Sequence, residues 1–448
     1  MKRIVLVIIA AAAFSAPASS RQKMSLSLEQ AIATGGENNR ALHSSLMRAG
    51  AADAKSSETN AARLPSLKLG ASYTRLSDVP PSQLMIPKDF LGPNFPPQTI
   101  TSTLSPVVLD NYSMRLSVQQ PLFTGFRLQS SADAASYNAE AASHDYQKEK
   151  TDLDYTITDA YWTLFKANEF KKVIDENVEQ IRAHLKDVQN LAAQGVVTKN
   201  EVLKVEVQLS NAQVLQIDAA NNVRLSSISL CNLIVIPLNS DLELTSRPGS
   251  DSRAYGDVSG LIQQAIEKRN DVKSLDLRLK AGQSAVTAAR SGLFPQVYLN
   301  GNYYYARPNS RIFPTQDEFK DTWDVSLAVS MDLWNWGATI DQADQAKAQL
   351  EQVKDAQSQL HDAIALEVTQ SFLNLQQAAE RITVSEQGVS QAQENYRITD
   401  EKFKSGLALN SDLLDAEAAL LQAQWNHIQS IVDHELADAR LVKALGGR

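Results

Sequence analysis

Cysteine is nearly missing from this chain of 448 residues, which has one, Cys231. That excludes an internal disulfide and any multi-cysteine metal site. Within Ser229-Leu230-Cys231-Asn232-Leu233-Ile234 it reads as a small buried apolar residue. Glycine (18) and proline (15) are also scarce, together roughly 7% against a usual ~12%. Pro80, Pro81, Pro87, Pro93, Pro96, Pro97 and Pro106 share one stretch, and no proline occurs between Leu122 and Ile236 or after Pro314. Proline breaks helices, so two very long segments are free to be helical. Basic charge is short as well: 43 Lys+Arg stand against 51 Asp+Glu, a net charge of −8. Counterion release on nucleic acid needs clustered cations, so a nucleic-acid partner is not expected. Glycine-rich phosphate loops, His-Glu-x-x-His and Gly-x-Ser-x-Gly are absent. His427 and His434, seven apart on a helix, read as a solvated stripe. The chain is expected to be no enzyme and to need neither cofactor nor metal.

The start of the chain looks like an export signal, taken as residues 1–18. Lys2 and Arg3 precede an apolar run from Ile4 to Phe14, and Ala16-Pro17-Ala18 offers a cleavage site. A membrane-spanning helix takes roughly 20 apolar residues; this run is shorter and no later stretch qualifies.

The most informative feature is self-similarity. From Tyr112 on, an offset of 211 maps residues onto equivalents: Tyr112 on Trp323, Gly195 on Gly406, Leu203 on Leu414. Upstream the offset is 230, pairing Leu64-Pro65 with Phe294-Pro295 and Tyr73 with Tyr303. The difference falls in the proline-rich stretch, which reads as a longer loop in the first copy. The chain is thus expected to hold two tandem structural repeats, 19–236 and 257–448, joined by a linker or equatorial segment, 237–256. Each opens with a helical segment (Leu28 to Arg63; Val258 to Leu293). Strands at 66–77 and 111–121 precede helices at 128–194 and 198–236; strands at 296–306 and 323–333 precede helices at 338–405 and 410–445.

The strands alternate. Leu67, Leu69, Ala71 and Tyr73 face one side; Ser66, Lys68, Gly70 and Ser72 face the other. Leu116, Leu299 and Leu327 belong to the same apolar set, and Arg115, Asn300 and Ser326 to the polar one. The long helices carry heptads. Ile157, Leu164, Ile174, Val178, Ile181, Leu185 and Val188 keep a 3-4 frame with Lys171 the misfit; Val368, Leu375, Ile382, Val389, Tyr396 and Phe403 keep it with Ser385 the misfit. At 1.5 Å per residue such a helix reaches roughly 100 Å, so an elongated molecule is expected.

Exported, without a membrane helix, yet bearing strands of bilayer length, the chain suggests a transmembrane β-barrel. One copy offers four strands and barrels begin at about eight, so several copies must share one. The rival reading is an elongated exported structural or adhesive coiled-coil protein without a pore.

The order of segments resembles the TolC-like family of outer-membrane efflux and secretion channels. The matching residues are Leu64-Pro65, Phe294-Pro295, Pro121-Leu122-Phe123-Thr124-Gly125 and the turns at Gly195 and Gly406 with their downstream acidic residues. The second exit, Asp332-Leu333-Trp334-Asn335-Trp336-Gly337, departs: its proline is missing and its glycine is shifted. The resemblance implies a mixed α and β fold, with a long coiled-coil-like α-helical barrel. It also implies a homotrimer in which four transmembrane strands per chain complete a twelve-stranded barrel. Outer-membrane lipid, a periplasmic adaptor (membrane fusion protein) and an inner-membrane pump are the implied partners. The duct would be passive, serving tripartite efflux or type I secretion, in the outer membrane of a Gram-negative-type cell and reaching into the periplasm.

Candidate site residues gather at the two hairpin turns. The family's aspartates around the periplasmic entrance lie six and nine residues past the second glycine, here Asp412 and Asp415. A ring of such carboxylates favours cations. Independently, Asn410 or Ser411 reads as a helix cap with acidic residues in the first turn. Glu201 sits six past Gly195, while Lys204 replaces the second aspartate. Phe403 matches a family gate tyrosine without its hydroxyl, and Ala408 stands where some members have a gating arginine. The tips Gly195-Val196-Val197-Thr198 and Gly406-Leu407-Ala408-Leu409 are, by resemblance, where the adaptor docks.

Overall fold

The computed structural model describes residues 23–86, 100–249 and 255–447. The expected signal peptide, Pro87, Pro93, Pro96 and Pro97, and residues 250–254 of the expected linker lie outside the described residues. The first half of the chain forms β1 (Lys23–Leu26), α1 (Leu28–Asn38), α2 (Arg40–Ala61), β2 (Ser66–Arg75), β3 (Ser82–Ile86), β4 (Ile100–Ser105), β5 (Asp110–Thr124), α3 (Arg127–Ala193) and α4 (Lys199–Leu233). The second half forms β6 (Asp241–Leu244), α5 (Val258–Lys268), α6 (Asn270–Ala289), β7 (Gln296–Arg307), β8 (Lys320–Ser330), α7 (Ala338–Lys404) and α8 (Asn410–Ala444). A 3-10 turn, Arg290–Leu293, precedes β7. α3 and α7 each have 67 residues, α4 and α8 each 35. The described residues form two compact units: those up to Ser45, within Gln147–Arg269 and from Asp362 on form one; those within Leu46–Tyr146 and Asn270–His361 form the other.

The second unit holds a four-stranded sheet in the order β2-β5-β7-β8, antiparallel throughout. Register keeps like faces together: Leu69 opposes Leu116, Leu116 opposes Tyr303, and Leu299 opposes Leu327. The apolar face is bare, with Leu67, Leu69, Val325, Leu327 and Val329 all exposed. β5 outlasts its expected end at 121 because a bulge between Pro121 and Phe123 lets Phe123 and Thr124 keep pairing with Val297 and Gln296. β8 spans Lys320–Ser330 rather than 323–333 because its partner β7 begins at Gln296, opposite Ser330. Leu333, beyond it, is 88% exposed. The stretch expected as a proline-rich loop also contains the hairpin β3-β4.

Both sheet-to-helix exits use two consecutive left-handed residues: Gly125 and Phe126 (φ 61° and 69°), and Trp336 and Gly337 (φ 57° and 84°). Glycine takes the first position in one exit and the second in the other, which is the departure seen in the sequence. Gly125 is also sterically required, since a Cβ there would strike the Ser291 carbonyl oxygen.

In the first unit, α3 from Gln147 on packs with α4, α8 and the part of α7 from Asp362. Ile157, Leu164, Ile174, Val178, Ile181 and Val188 are buried, as are Val368 and Phe403. The heptad misfits carry polar links. Lys171 pairs with Asp175 (2.5 Å), which accepts from Gln216 of α4 (2.8 Å). Ser385 Oγ meets Ser430 Oγ (2.7 Å) and His427 Nδ1 (3.1 Å) on α8, so His427 belongs to the seam and not to a solvated stripe.

The two helical segments expected before the strands are each broken. Asn39 and Arg269 are extended residues separating α1 from α2 and α5 from α6. Asn39 Oδ1 accepts from the N–H groups of Ala41 (2.9 Å) and Leu42 (3.0 Å), so its side chain ends one helix and caps the next. Inside the expected linker, β6 pairs in parallel with β1. The Tyr161 hydroxyl, fully buried on α3, ties both strands down: it donates to the Leu26 carbonyl (3.0 Å) and accepts from the Ser246 N–H (2.9 Å).

Tyr161→Phe strands both backbone groups in the core. The variant is expected to lose about 2 kcal/mol of stability, read as a lower denaturant midpoint at unchanged slope.

Candidate functional site

The hairpin turns are built alike. Gly195 (φ 75°) and Gly406 (φ 74°) sit in the left-handed region with open space where a Cβ would stand, so conformation and not crowding calls for glycine. The N–H of Val196 reaches back to the Leu191 carbonyl (3.0 Å), and that of Leu407 to the Lys402 carbonyl (2.8 Å). At the tips Val196, Leu407 and Leu409 are exposed, while Val197 and Ala408 pack against the cluster formed by Ile181, Val188 and Leu413.

Asp412 and Asp415 lie one turn apart on the exposed side of α8. Asp412 also serves the helix start: its Oδ2 accepts from the Leu409 N–H (3.1 Å). The cap position is therefore Leu409, not Asn410 or Ser411. Asn410 is the first helical residue, 5% exposed, and its side chain works sideways. Its Nδ2 donates to Glu201 Oε2 on α4 (3.0 Å), and its Oδ1 lies 2.6 Å from His184 Nε2 on α3. A carboxylate can only accept, so the amide orientation is set and the His184 proton must sit on Nε2. The His184 ring meets Phe403 of α7 edge-on, centroids 5.0 Å apart. Glu201 further pairs with Lys204 (2.8 Å), and these two hydrogen bonds hold its carboxyl below the usual range.

The two acidic positions thus differ. Asp412 and Asp415 present carboxylates to solvent; Glu201 is engaged within the chain, and Phe403 is buried in the core. Sequence reasoning missed His184, although it lies three past Ile181 and four before Val188, inside the apolar frame.

Another acid was missed altogether. Glu417 on α8 is 3% exposed, and its Oε1 has no hydrogen-bond partner. Burial, then the charge of Asp400 on α7, pushes its carboxyl up to about 7. Tyr396 of α7 is pushed up to about 12 by burial, then by Glu417 and Asp400. Asp400 itself is paired with Lys404 (2.7 Å). Among the described residues no group of three or more His, Cys, Asp or Glu could hold a metal ion.

The sequence matches the outer membrane efflux protein family over residues 15–234 and 261–447. It is 22% identical over 345 residues to the pyoverdine export outer membrane protein OpmQ of Pseudomonas aeruginosa, covering 76% of this chain and 70% of that one. It is 19% identical over 317 residues to the outer membrane protein TolC of Vibrio cholerae, covering 70% of this chain and 72% of that one. Its fold is similar to the outer-membrane channel OprN, with a TM-score of 0.78 at 20% identity, covering 94% of this chain and 90% of that one.

Between the ordinary glutamate value of 4.5 and about 7, folded Glu417 keeps a proton that the unfolded chain has released. More protons bound in the folded state means stability falls as pH rises through that window, by about 3 kcal/mol in all. Glu417→Gln is expected to remove this decline and to exceed the wild type in stability at the alkaline end. Urea titrations of both proteins across the window measure the difference.

Proposed function

Because this chain belongs to the outer membrane efflux protein family, we propose that three copies pool their sheets into one twelve-stranded barrel, forming the exit duct of a tripartite efflux or secretion system. The family is one of outer-membrane channel proteins, not enzymes. The observation that carries the trimer is the sheet itself: four strands, one bare apolar face, and two edge strands, β2 and β8, whose outer sides pair with nothing among the described residues. In hydrocarbon each unpaired backbone group costs several kcal/mol, and edge joined to edge removes the cost. α4 supports the same reading. Leu203, Val207, Val214, Ile217 and Leu225 form an exposed seam along it, with Ile217 68% exposed, where a neighbouring copy would pack.

In such a trimer Asp412 and Asp415 ring the periplasmic entrance and favour cations. Glu201 and Phe403 act from behind, fixing the two hairpins to each other through Asn410 and His184. The exposed Val196, Leu407 and Leu409 receive the periplasmic adaptor, which links the duct to an inner-membrane pump. The duct is a passive conduit and the pump supplies the energy.

Purified protein in planar bilayers should give discrete conductance steps and sediment in detergent as a trimer. Asp412→Ala combined with Asp415→Ala should lower the cation-to-anion permeability ratio about twofold or more and relieve block by divalent cations. Reversal potentials that stay put in a salt gradient would count against the acidic ring.

A further inference from the structure

The polar face of the sheet carries a cationic cluster that neither the heptads nor the hairpin ends explain. Arg115 on β5 stands directly opposite Tyr304 on β7, and Asn302, two residues along, stands opposite Asp324 on β8. Arg115 donates from Nε (3.1 Å) and Nη2 (2.7 Å) to Asn302 Oδ1. Asn302 Nδ2 in turn donates to Asp324 Oδ1 (2.8 Å), and Arg311, from the β7–β8 loop, donates to Asp324 Oδ2 (2.5 Å). Both guanidinium groups lie against Tyr304, the Arg115 carbon 5.3 Å and the Arg311 carbon 4.4 Å from its ring centroid.

The loop is built to bring Arg311 there. Asn309, 4% exposed, donates to the Lys320 carbonyl (3.1 Å) and Thr322 Oγ1 (3.2 Å) and accepts from the Arg311 N–H (3.0 Å). The loop is thereby folded back over β8 with Arg311 aimed across the face.

The charges do not cancel. Asp324 is the one carboxylate hydrogen-bonded within the cluster: Arg311 donates to it, while Arg115, whose hydrogen bonds go to the neutral Asn302 amide, shares the same single negative charge from further off. Lys68, opposite Ser117 on the same face, adds a further cation. Two held guanidinium groups with a surplus of positive charge have the geometry for carboxylate or phosphate oxygens. The aromatic ring that both lie against helps fix their positions without neutralising them.

Resting on the reading of this face as a pore lining, we propose that Arg115 and Arg311 form an anion-binding station on the inner wall of the barrel, opposite in sign to Asp412 and Asp415. Three copies give a ring that binds multivalent phosphate- or carboxylate-bearing solutes as they pass.

The test is block of single channels of the full-length protein in potassium chloride by inorganic pyrophosphate, added to either chamber in turn. Wild type should be blocked, and Arg115→Gln with Arg311→Gln should raise the half-blocking concentration by about tenfold or more, with open conductance retained. Asp324→Asn removes the opposing charge and should lower that concentration, a change of sign that a damaged barrel would not give. Normal conductance with block unaltered in both variants overturns the station and leaves the pore standing. A wild-type protein without conductance steps overturns the pore reading and the station with it.

Discussion

A sheet that is apolar on one face and, among the described residues, unpaired on both edges cannot be at rest in lipid by itself. The apolar face of β2, β5, β7 and β8 asks for hydrocarbon, and the outer backbone groups of β2 and β8 ask for hydrogen bonds that hydrocarbon cannot give. The proposed closure with further copies would meet both demands. Much else follows from that constraint. In that proposed closure the polar face would become an inner wall, its charges turned toward what passes. The exits to α3 and α7 must turn the chain sharply, which explains two consecutive left-handed residues at each, one of them a glycine.

The long helices face a different problem: seams of Leu, Ile, Val and Ala slide easily past one another. Polar residues inside the seams oppose this. Ser385 with His427 and Ser430, Lys171 with Asp175 and Gln216, and His184 with Asn410 and Glu201 each fix one helix against another at a single height. A hydrogen bond lost from a buried site is costly even where its making gains little, so each link selects against slipped registers more than it adds stability.

Reading the sequence recovered whatever is written in backbone period. Alternation by two marks the faces of the sheet, and the 3-4 frame marks buried positions such as Ile174, Val178 and Phe403, because each period is a property of one segment alone. Features that depend on a distant partner were not legible. Nothing local tells that Asn39 will end a helix, that Ser82–Ile86 will find Ile100–Ser105, or that Leu26 will lie beside Leu244. Among candidate site residues, Asp412 and Asp415 were singled out by family resemblance, from their distance past Gly406, whereas His184 and Glu417 were not, since a lone polar residue near an apolar stripe looks the same buried or solvated. Ser385 was seen as a misfit; its partners Ser430 and His427 lie on another helix.

Glu417 shows what such a misfit can mean. A leucine there would fill the seam without an unsatisfied oxygen, and the charged form is disfavoured by burial and by Asp400. A carboxyl pushed up to about 7 by burial and by Asp400 makes the stability of the α7–α8 seam depend on pH, falling as pH rises. In the proposed duct, exposed Asp412 and Asp415 would act on passing ions, whereas Glu417 is withdrawn into the seam of the helix that carries them. The polar wall of the sheet repeats the division. Arg115 and Arg311 lie on the polar face, and the half-buried Asn302, Tyr304 and Asp324 hold them in place. Both proposed sites pair a charged group left open to solution with a second set, withdrawn from it, that fixes where the charge stands.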